Sequence, residues 1–229
     1  MKAVLRTCFL RTVALLAGLL SPLRRSAYLR RPGPRKLQIG AGTSLASGWL
    51  VTDLEPLNLR VVRLDATRRF PFPDAVFDYV HSEHMIEHVP YSDALKMLAE
   101  CCRVLKPGGR IRIATPDIAV LLDLYYRRDD PAGRRYVEWI TDHCLPNAPG
   151  YNPLFVINNA MRAWGHQFLY DGPLLIATLE RCGFVDVCQH RPGSSDDPVL
   201  HGIEHHGQFI GDEAINQYET MVFEARRPS

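Results

Sequence analysis

None of the six cysteines (Cys8, Cys101, Cys102, Cys144, Cys182, Cys188) forms a C-x-x-C pair. That removes the spacing signal of a structural zinc site or a dithiol redox centre. The expectation is small buried thiols in a reducing, cytoplasmic compartment, with adjacent Cys101 and Cys102 on different faces of a helix. A membrane-crossing run is missing too. Val13 to Leu20 is apolar, but a spanning helix needs about 20 such residues. No clear small-x-small cleavage site follows it, and Arg24-Arg25 and Arg30-Arg31 come at once, which speaks against a secretory leader. The first 36 residues contain no acid but nine Lys and Arg, so the remaining 18 basic and 25 acidic residues leave the rest near −7, hidden behind a net +2. An acidic body excludes a broad nucleic-acid surface, which needs Lys and Arg to displace counterions.

What is present is enough for one sizeable core: 229 residues, 46% of them hydrophobic, predict a single domain. Leu5, Phe9, Thr12, Leu16, Leu19 and Leu23 recur at helical spacing in the basic segment 1–35. Such a helix lies either on its own domain or on an anionic membrane surface. Arg31-Pro32-Gly33-Pro34 reads as a linker into a domain spanning 36–229.

The chain is organised around Val76 to Pro116. Phe77 to Val80 reads as a short buried strand, and Tyr91 to Leu105 as a helix with Leu95, Leu98, Cys102 and Leu105 on one face. Lys106-Pro107-Gly108-Gly109 stops that helix, and Arg110 to Ala114 returns as a strand. This is a βαβ unit. Upstream, Lys36 to Gly40, Trp49 to Thr52 and Val61 to Leu64 read as strands, and Ala41 to Gly48 leaves no room for a helix between the first two.

FDYVHSEHMIEHV followed by RVLKPGGRIRIATP resembles the second half of a class I S-adenosylmethionine-dependent methyltransferase, in particular small bacterial members with a shortened first motif. The resemblance covers Lys36 to Thr115 well and the remainder loosely. It implies an α/β, Rossmann-like three-layer sandwich with a seven-stranded, mostly parallel sheet and an antiparallel last strand. It also implies S-adenosyl-L-methionine as cofactor and methyl transfer to a small-molecule or glycan acceptor, loosely a sugar or cell-envelope precursor, in the cytoplasm or peripheral to the inner membrane. A cofactor-binding scaffold of the same fold without turnover is the competing expectation.

Leu37 to Gly42 resembles the family's glycine-rich first motif, which places Gly40, Ala41 and Gly42 against the cofactor. With no first helix, bare backbone amides or Thr43 and Ser44 must hold the methionine end. Asp53, followed by Leu54, sits where a carboxylate accepts both ribose hydroxyls; the alternative is a turn aspartate, with Glu55 nearby. Asp65 and Ala66 sit where the adenine is read, and the alternative for Asp65 is a salt bridge with Arg63 or Arg68. His81 and Ser82 open the segment that borders the methyl group.

Three roles stay open at His84 to His88. His84 or His88 serves as a general base; or His84, Glu87 and His88 share a helix face and bind a metal; or Glu87-His88 packs the start of the helix. His84-x-x-Glu87-His88 matches the H-x-x-E-H string of inverted zinc peptidases, but Pro90 ends the helix that such a site needs. The expectation is a site that needs no metal, since alignment of nucleophile and methyl can supply much of the rate.

Ile118 to Arg128 reads as a helix. The aromatic segment 131–166, with Tyr136, Trp139, Tyr151, Phe155 and Trp164, reads as an insertion supplying substrate walls. His166 and Tyr170 precede a helix from Leu174 to Arg181, then a strand from Phe184 to Gln189 and a closing strand from Tyr218 to Arg226. The long loop from Arg191 to Gln217, with His201, Glu204, His205 and His206, reads as solvated or substrate-facing.

Overall fold

The computed structural model describes residues 2–229, with side chains from Phe9 onward. The alternation of short β-branched runs with amphipathic segments builds one sheet from β1 (Lys36–Ile39), β2 (Leu50–Asp53), β3 (Val62–Arg63), β4 (Phe77–Glu83), β5 (Leu105–Pro116), β6 (Val185–His190) and β7 (Thr220–Arg226). Their order is β3-β2-β1-β4-β5-β7-β6. The pairs from β3 to β5 are parallel, and β7 runs antiparallel to both neighbours. This is the Rossmann-like sheet that the sequence implies. β1 lies between β2 and β4, so the strand order reverses there and a crevice opens beyond the carboxyl ends.

One face of the sheet presents Leu37, Ile39, Val80, Ile111, Ile113 and Phe223. They pack with Ala94, Leu98 and Cys101 of α2 (Tyr91–Val104) and with Leu175 and Leu179 of α6 (Gly172–Arg181). The opposite face is different. Gly40 to Trp49 holds turns and no helix. The cover comes from far along the chain: Leu200 and Ile203 pack on Ala41, Ala46, Trp49, Val51 and Val61. Arg112, fully buried on this face, is clamped by Glu204 from the same loop and by Glu224 of β7. The loop therefore fills the layer that a first helix occupies in a doubly wound sheet.

A second core joins α3 (Ile118–Tyr126), α4 (Pro131–Cys144), α5 (Pro153–Arg162) and α8 (Glu213–Glu219), through Leu121, Leu124, Tyr136, Ile140, Val156 and Ile215. The aromatic segment is thus two helices with their own packing.

α1 (Lys2–Leu29) passes through Pro22 and runs six residues beyond Leu23. Among its described side chains, Ala17, Ser21 and Tyr28 are buried. Ser21 Oγ accepts the Arg63 N–H at 2.8 Å. The Tyr28 hydroxyl lies 2.9 and 3.1 Å from the Lys36 and Gly48 carbonyls and accepts the Lys36 N–H. So the helix rests on the β3 edge of its own domain.

Three sequence expectations need correction. Helix α2 ends at Val104, and Lys106 to Gly109 forms a bulge within β5, because Leu105 pairs with Phe77 and Arg110 already with Tyr79. Only Gly108 of that turn takes a positive φ, at 74°. The closing strand begins at Thr220, since Asp212 caps a helix that includes Tyr218 by accepting from the Ala214 and Ile215 amides. Of the five described cysteines, all free, Cys101 is buried and Cys188 exposed, because β6 is the outer strand of the sheet. The expectations for Leu5 and Cys8 concern side chains outside the described residues.

Candidate active site

A cavity of about 820 Å³ opens at the carboxyl ends of β1 and β4. One wall is the turn Gly40 to Leu45. The others come from the β4 end (Glu83, His84, Glu87, His88), from Trp139, Ile140 and Cys144 of α4, from Trp164 and His166, and from His205, His206 and Phe209 around α7 (His206–Ile210). The loop is held over the cavity by Glu83, whose carboxylate accepts the His205 and His206 amides at 2.8–3.0 Å.

His84 follows β4 with φ at 44°, a left-handed conformation that costs a non-glycine residue strain. Its ring stacks on His206 at 3.7 Å. Nε2 lies 3.0 Å from Thr220 Oγ1, and Nδ1 lies 3.4 Å from Glu87 Oε1. Both ring nitrogens are thus engaged. Burial opposes charge on His84, yet Glu87, with Glu219 and Glu83 behind it, outweighs burial and raises the imidazole above its usual value. Burial likewise opposes ionisation of Glu87, and His84 outweighs it, so the carboxyl titrates below its ordinary range.

Glu87 is fully buried, and its Oε2 accepts from Thr115 Oγ1 at 2.9 Å. His88 is pushed down by burial and is the more neutral imidazole. Its ring edge meets His166 with centroids 4.9 Å apart. The helix-face premise for His84, Glu87 and His88 fails, because Ile86–His88 is a single 3₁₀ turn. That also removes the long helix of an H-x-x-E-H peptidase.

Several contributors had no signal in the sequence. Glu219 lies 3.6 Å from His206 Nε2 and accepts a short hydrogen bond from Tyr136. Thr220 and Asn216 buttress His84 through a 3.0 Å bond between them. They arrive from more than 100 residues away, beyond the reach of any local motif.

A methyltransferase-domain family profile matches residues 37–113. A ubiquinone/menaquinone biosynthesis C-methyltransferase, UbiE, of Cupriavidus metallidurans is 30% identical over 150 residues, covering 54% of this chain and 59% of the relative. An uncharacterised 37.1 kDa protein in transposon TN4556 of Streptomyces fradiae is 27% identical over 141 residues, 51% of this chain and 39% of the relative. The chain spans about 40–60% of the length of these curated relatives. Among solved structures, an S-adenosylmethionine dependent methyltransferase from Mesorhizobium loti superposes with a TM-score of 0.51, at 18% identity, over 90% of this chain and 96% of that one. Over residues 37–113 the chain matches a methyltransferase domain, set on a Rossmann-like fold.

The methyltransferase domain offers the cofactor a polar rim along the strand ends. Gly40 has φ 69°, and a Cβ there would stand 2.2 Å from Met85 Cγ. Gly42, at φ 51°, gives its N–H to Asp53 Oδ2 at 2.8 Å, while Asp53 Oδ1 accepts from Glu55 at 2.9 Å. Each carboxylate oxygen keeps a lone pair, so Asp53 ties the turn and can still accept a hydroxyl. Buried Ser44 Oγ and Ser82 Oγ have no hydrogen-bond partner among the described residues. Such orphaned hydroxyls at the ends of β1 and β4 fit a polar ligand in the crevice. Leu54 is exposed and Ala66 buried.

Two of the other expected contacts lie outside the cavity lining. Asp65 Oδ1 accepts from the Thr67 amide and hydroxyl, and Oδ2 pairs with Arg68 at 3.0 Å. His81 is fully buried with neither ring nitrogen bonded among the described residues, and its ring meets Trp49 edge-on. Burial lowers its pKa, and its side chain lies outside the cavity lining.

Proposed function

We propose that this chain transfers a methyl group from S-adenosylmethionine to a small acceptor of the sugar or cell-envelope precursor class. One observation carries the reading: the Gly40–Leu45 turn and the His84, His88, His166 wall line a single continuous cavity. Donor and acceptor can therefore meet without leaving the protein. The cofactor supplies a sulfonium methyl, which is electrophilic without further activation. The chain's part is alignment and exclusion of water. Trp139 and Trp164 add flat apolar surface to the lining, and the histidines offer hydrogen bonds to hydroxyls.

The UbiE relatives suggest a quinone-type ring instead, and Trp139, Trp164 and Phe209 favour a flat acceptor. Incubation with methyl-labelled cofactor and host extract fractions separates these readings: label in water-soluble material supports the first, label in solvent-extracted lipid the second. A chain that binds S-adenosylhomocysteine yet labels neither fraction is the scaffold.

We also infer that α1 brings the domain to an anionic membrane surface. Among the described residues no helix is long and apolar enough to cross a membrane, so contact would be peripheral.

A further inference from the structure

We propose that Glu87, His88 and His166 form a binding site for one divalent first-row transition ion on the cavity wall. The sequence predicts a metal-free site; the sets it raises are His84, Glu87 and His88, and, as adventitious ligands, His201, Glu204, His205 and His206. The structure brings together a different set. One ligand atom from each of Glu87, His88 and His166 lies within 4.8 Å of the other two, a separation that atoms around a common ion at about 2.0–2.2 Å can approach by small side-chain rotations.

Three independent features prepare this group. Glu87 Oε2 is held by Thr115, while Oε1 is buried and accepts no hydrogen bond among the described residues, with His84 Nδ1 standing 3.4 Å away. One oxygen is thus anchored and the other is held only by its ion pair with His84. His166 Nδ1 lies 2.6 Å from the Ala160 carbonyl. A carbonyl can only accept, so Nδ1 carries the proton and Nε2 is left with its lone pair. A backbone carbonyl accepting from the far nitrogen is a usual outer partner of a metal-bound histidine. Finally, the two segments are bonded to each other: the Gln167 and Phe168 amides donate to the Glu87 carbonyl at 2.8 and 3.2 Å, and Gln167 Nε2 donates to the His88 carbonyl at 2.9 Å. The donors are therefore positioned before any ion arrives.

Two imidazoles and one carboxylate suit zinc, iron, cobalt or nickel better than magnesium or calcium, which prefer all-oxygen sites. Three protein ligands leave positions open toward the cavity. If the acceptor reading above holds, an oxygen of the acceptor would occupy one of them and lose its proton more easily. That clause rests on the proposed methyl transfer; the ion site does not.

The test is a titration of chelator-stripped full-length protein with Co²⁺, read by its visible absorption and by displacement with Zn²⁺. One equivalent should bind. Glu87→Gln and His166→Ala should each weaken binding by more than the roughly 10–100-fold typical of losing an outer partner, and Thr115→Val should fall within that range. His201→Ala, in the histidine-rich loop, should change nothing. In the wild-type cobalt protein, proton NMR should show a hyperfine-shifted, slowly exchanging imidazole N–H from His166. Absence of stoichiometric binding overturns the proposal, as does binding that survives both Glu87→Gln and His166→Ala, or a cobalt protein without that N–H signal. The NMR arm needs no variant to fold. Failure here leaves cofactor binding untouched, and failure of cofactor binding leaves the cobalt titration untouched, so the two readings fall separately.

Discussion

Asp53 closes the Gly40–Leu45 turn by accepting the Gly42 N–H, and its carboxylate keeps lone pairs that can accept a hydroxyl. Asp53→Ala should weaken S-adenosylhomocysteine binding by about 1.5–3 kcal/mol, the range for hydrogen bonds to a charged group. Calorimetry that finds less than a twofold change would remove Asp53 from the cofactor site. Arg112 poses a different question at the same scale. It is fully buried between Glu204 and Glu224, and leaving a buried charge short of its partner costs about 3–5 kcal/mol. Burial pushes the Glu204 carboxyl up, but Arg112 outweighs it and depresses the folded-state pKa. The unfolded chain, near 4.3, then binds the proton first. The stabilisation is present above that value and fades as pH falls through the lower folded pKa. Urea melts should show Glu204→Gln clearly less stable than wild type at pH 7, with the gap closing below about pH 4. A gap that stays constant with pH would mean that Glu204 acts through shape alone.

At the scale of elements, the loop from Arg191 to His205 behaves as a missing helix. Leu200 is fully buried against Ala41, Trp49 and Val61, so Leu200→Ala should cost about 2–5 kcal/mol, as core truncations do. A loss below 0.5 kcal/mol by denaturant titration would make the loop a loose cover. The sequence showed the vacancy but not its filler. Ala41 to Gly48 is visibly too short for a helix, whereas nothing local in Val199 to Glu204 says that it packs on β1 and β2. The same division runs through the fold. β1, α2 and α6 were legible because period and stop signals are local, and Cys182-Gly183 follows the last turn of α6; the buried face of α2 is nevertheless Ala94, Met97, Leu98, Cys101 and Val104, one step round the helix from the expected Leu95, Leu98, Cys102 and Leu105. The start of β7 was not, because Tyr218 is a good strand residue and only the Asp212 cap, six residues upstream, keeps it helical. Of the cavity lining, Gly40 and Gly42 were readable from their order along the chain. His166 was read only as site-facing, since its pairing with Glu87 depends on backbone bonds between distant segments.

For the whole molecule, the decisive asymmetry is in α1. Its buried side is Ala17, Ser21 and Tyr28, while Phe9, Leu19 and Leu23 are 66–70% exposed. Those two sets fall on opposite faces at 100° per residue. A leucine stripe turned away from its own domain, at the start of a 36-residue stretch with nine cations and no acid, fits the headgroup boundary of an anionic bilayer. Each Lys or Arg near such a surface adds about 1 kcal/mol, and salt screens it. Deleting the segment is a poor test, because the Tyr28 hydroxyl ties Lys36 and Gly48 together and its loss would disturb β1. Substitution is cleaner. The full-length chain should sediment with phosphatidylserine-containing vesicles at low salt and release at high salt. Leu19→Ser with Leu23→Ser should cut that binding, since burying each leucine is worth about 1.5–3 kcal/mol, while leaving the thermal midpoint and S-adenosylhomocysteine affinity in place. If the wild-type chain stays in the supernatant at both salt concentrations, the exposed stripe does not serve a membrane.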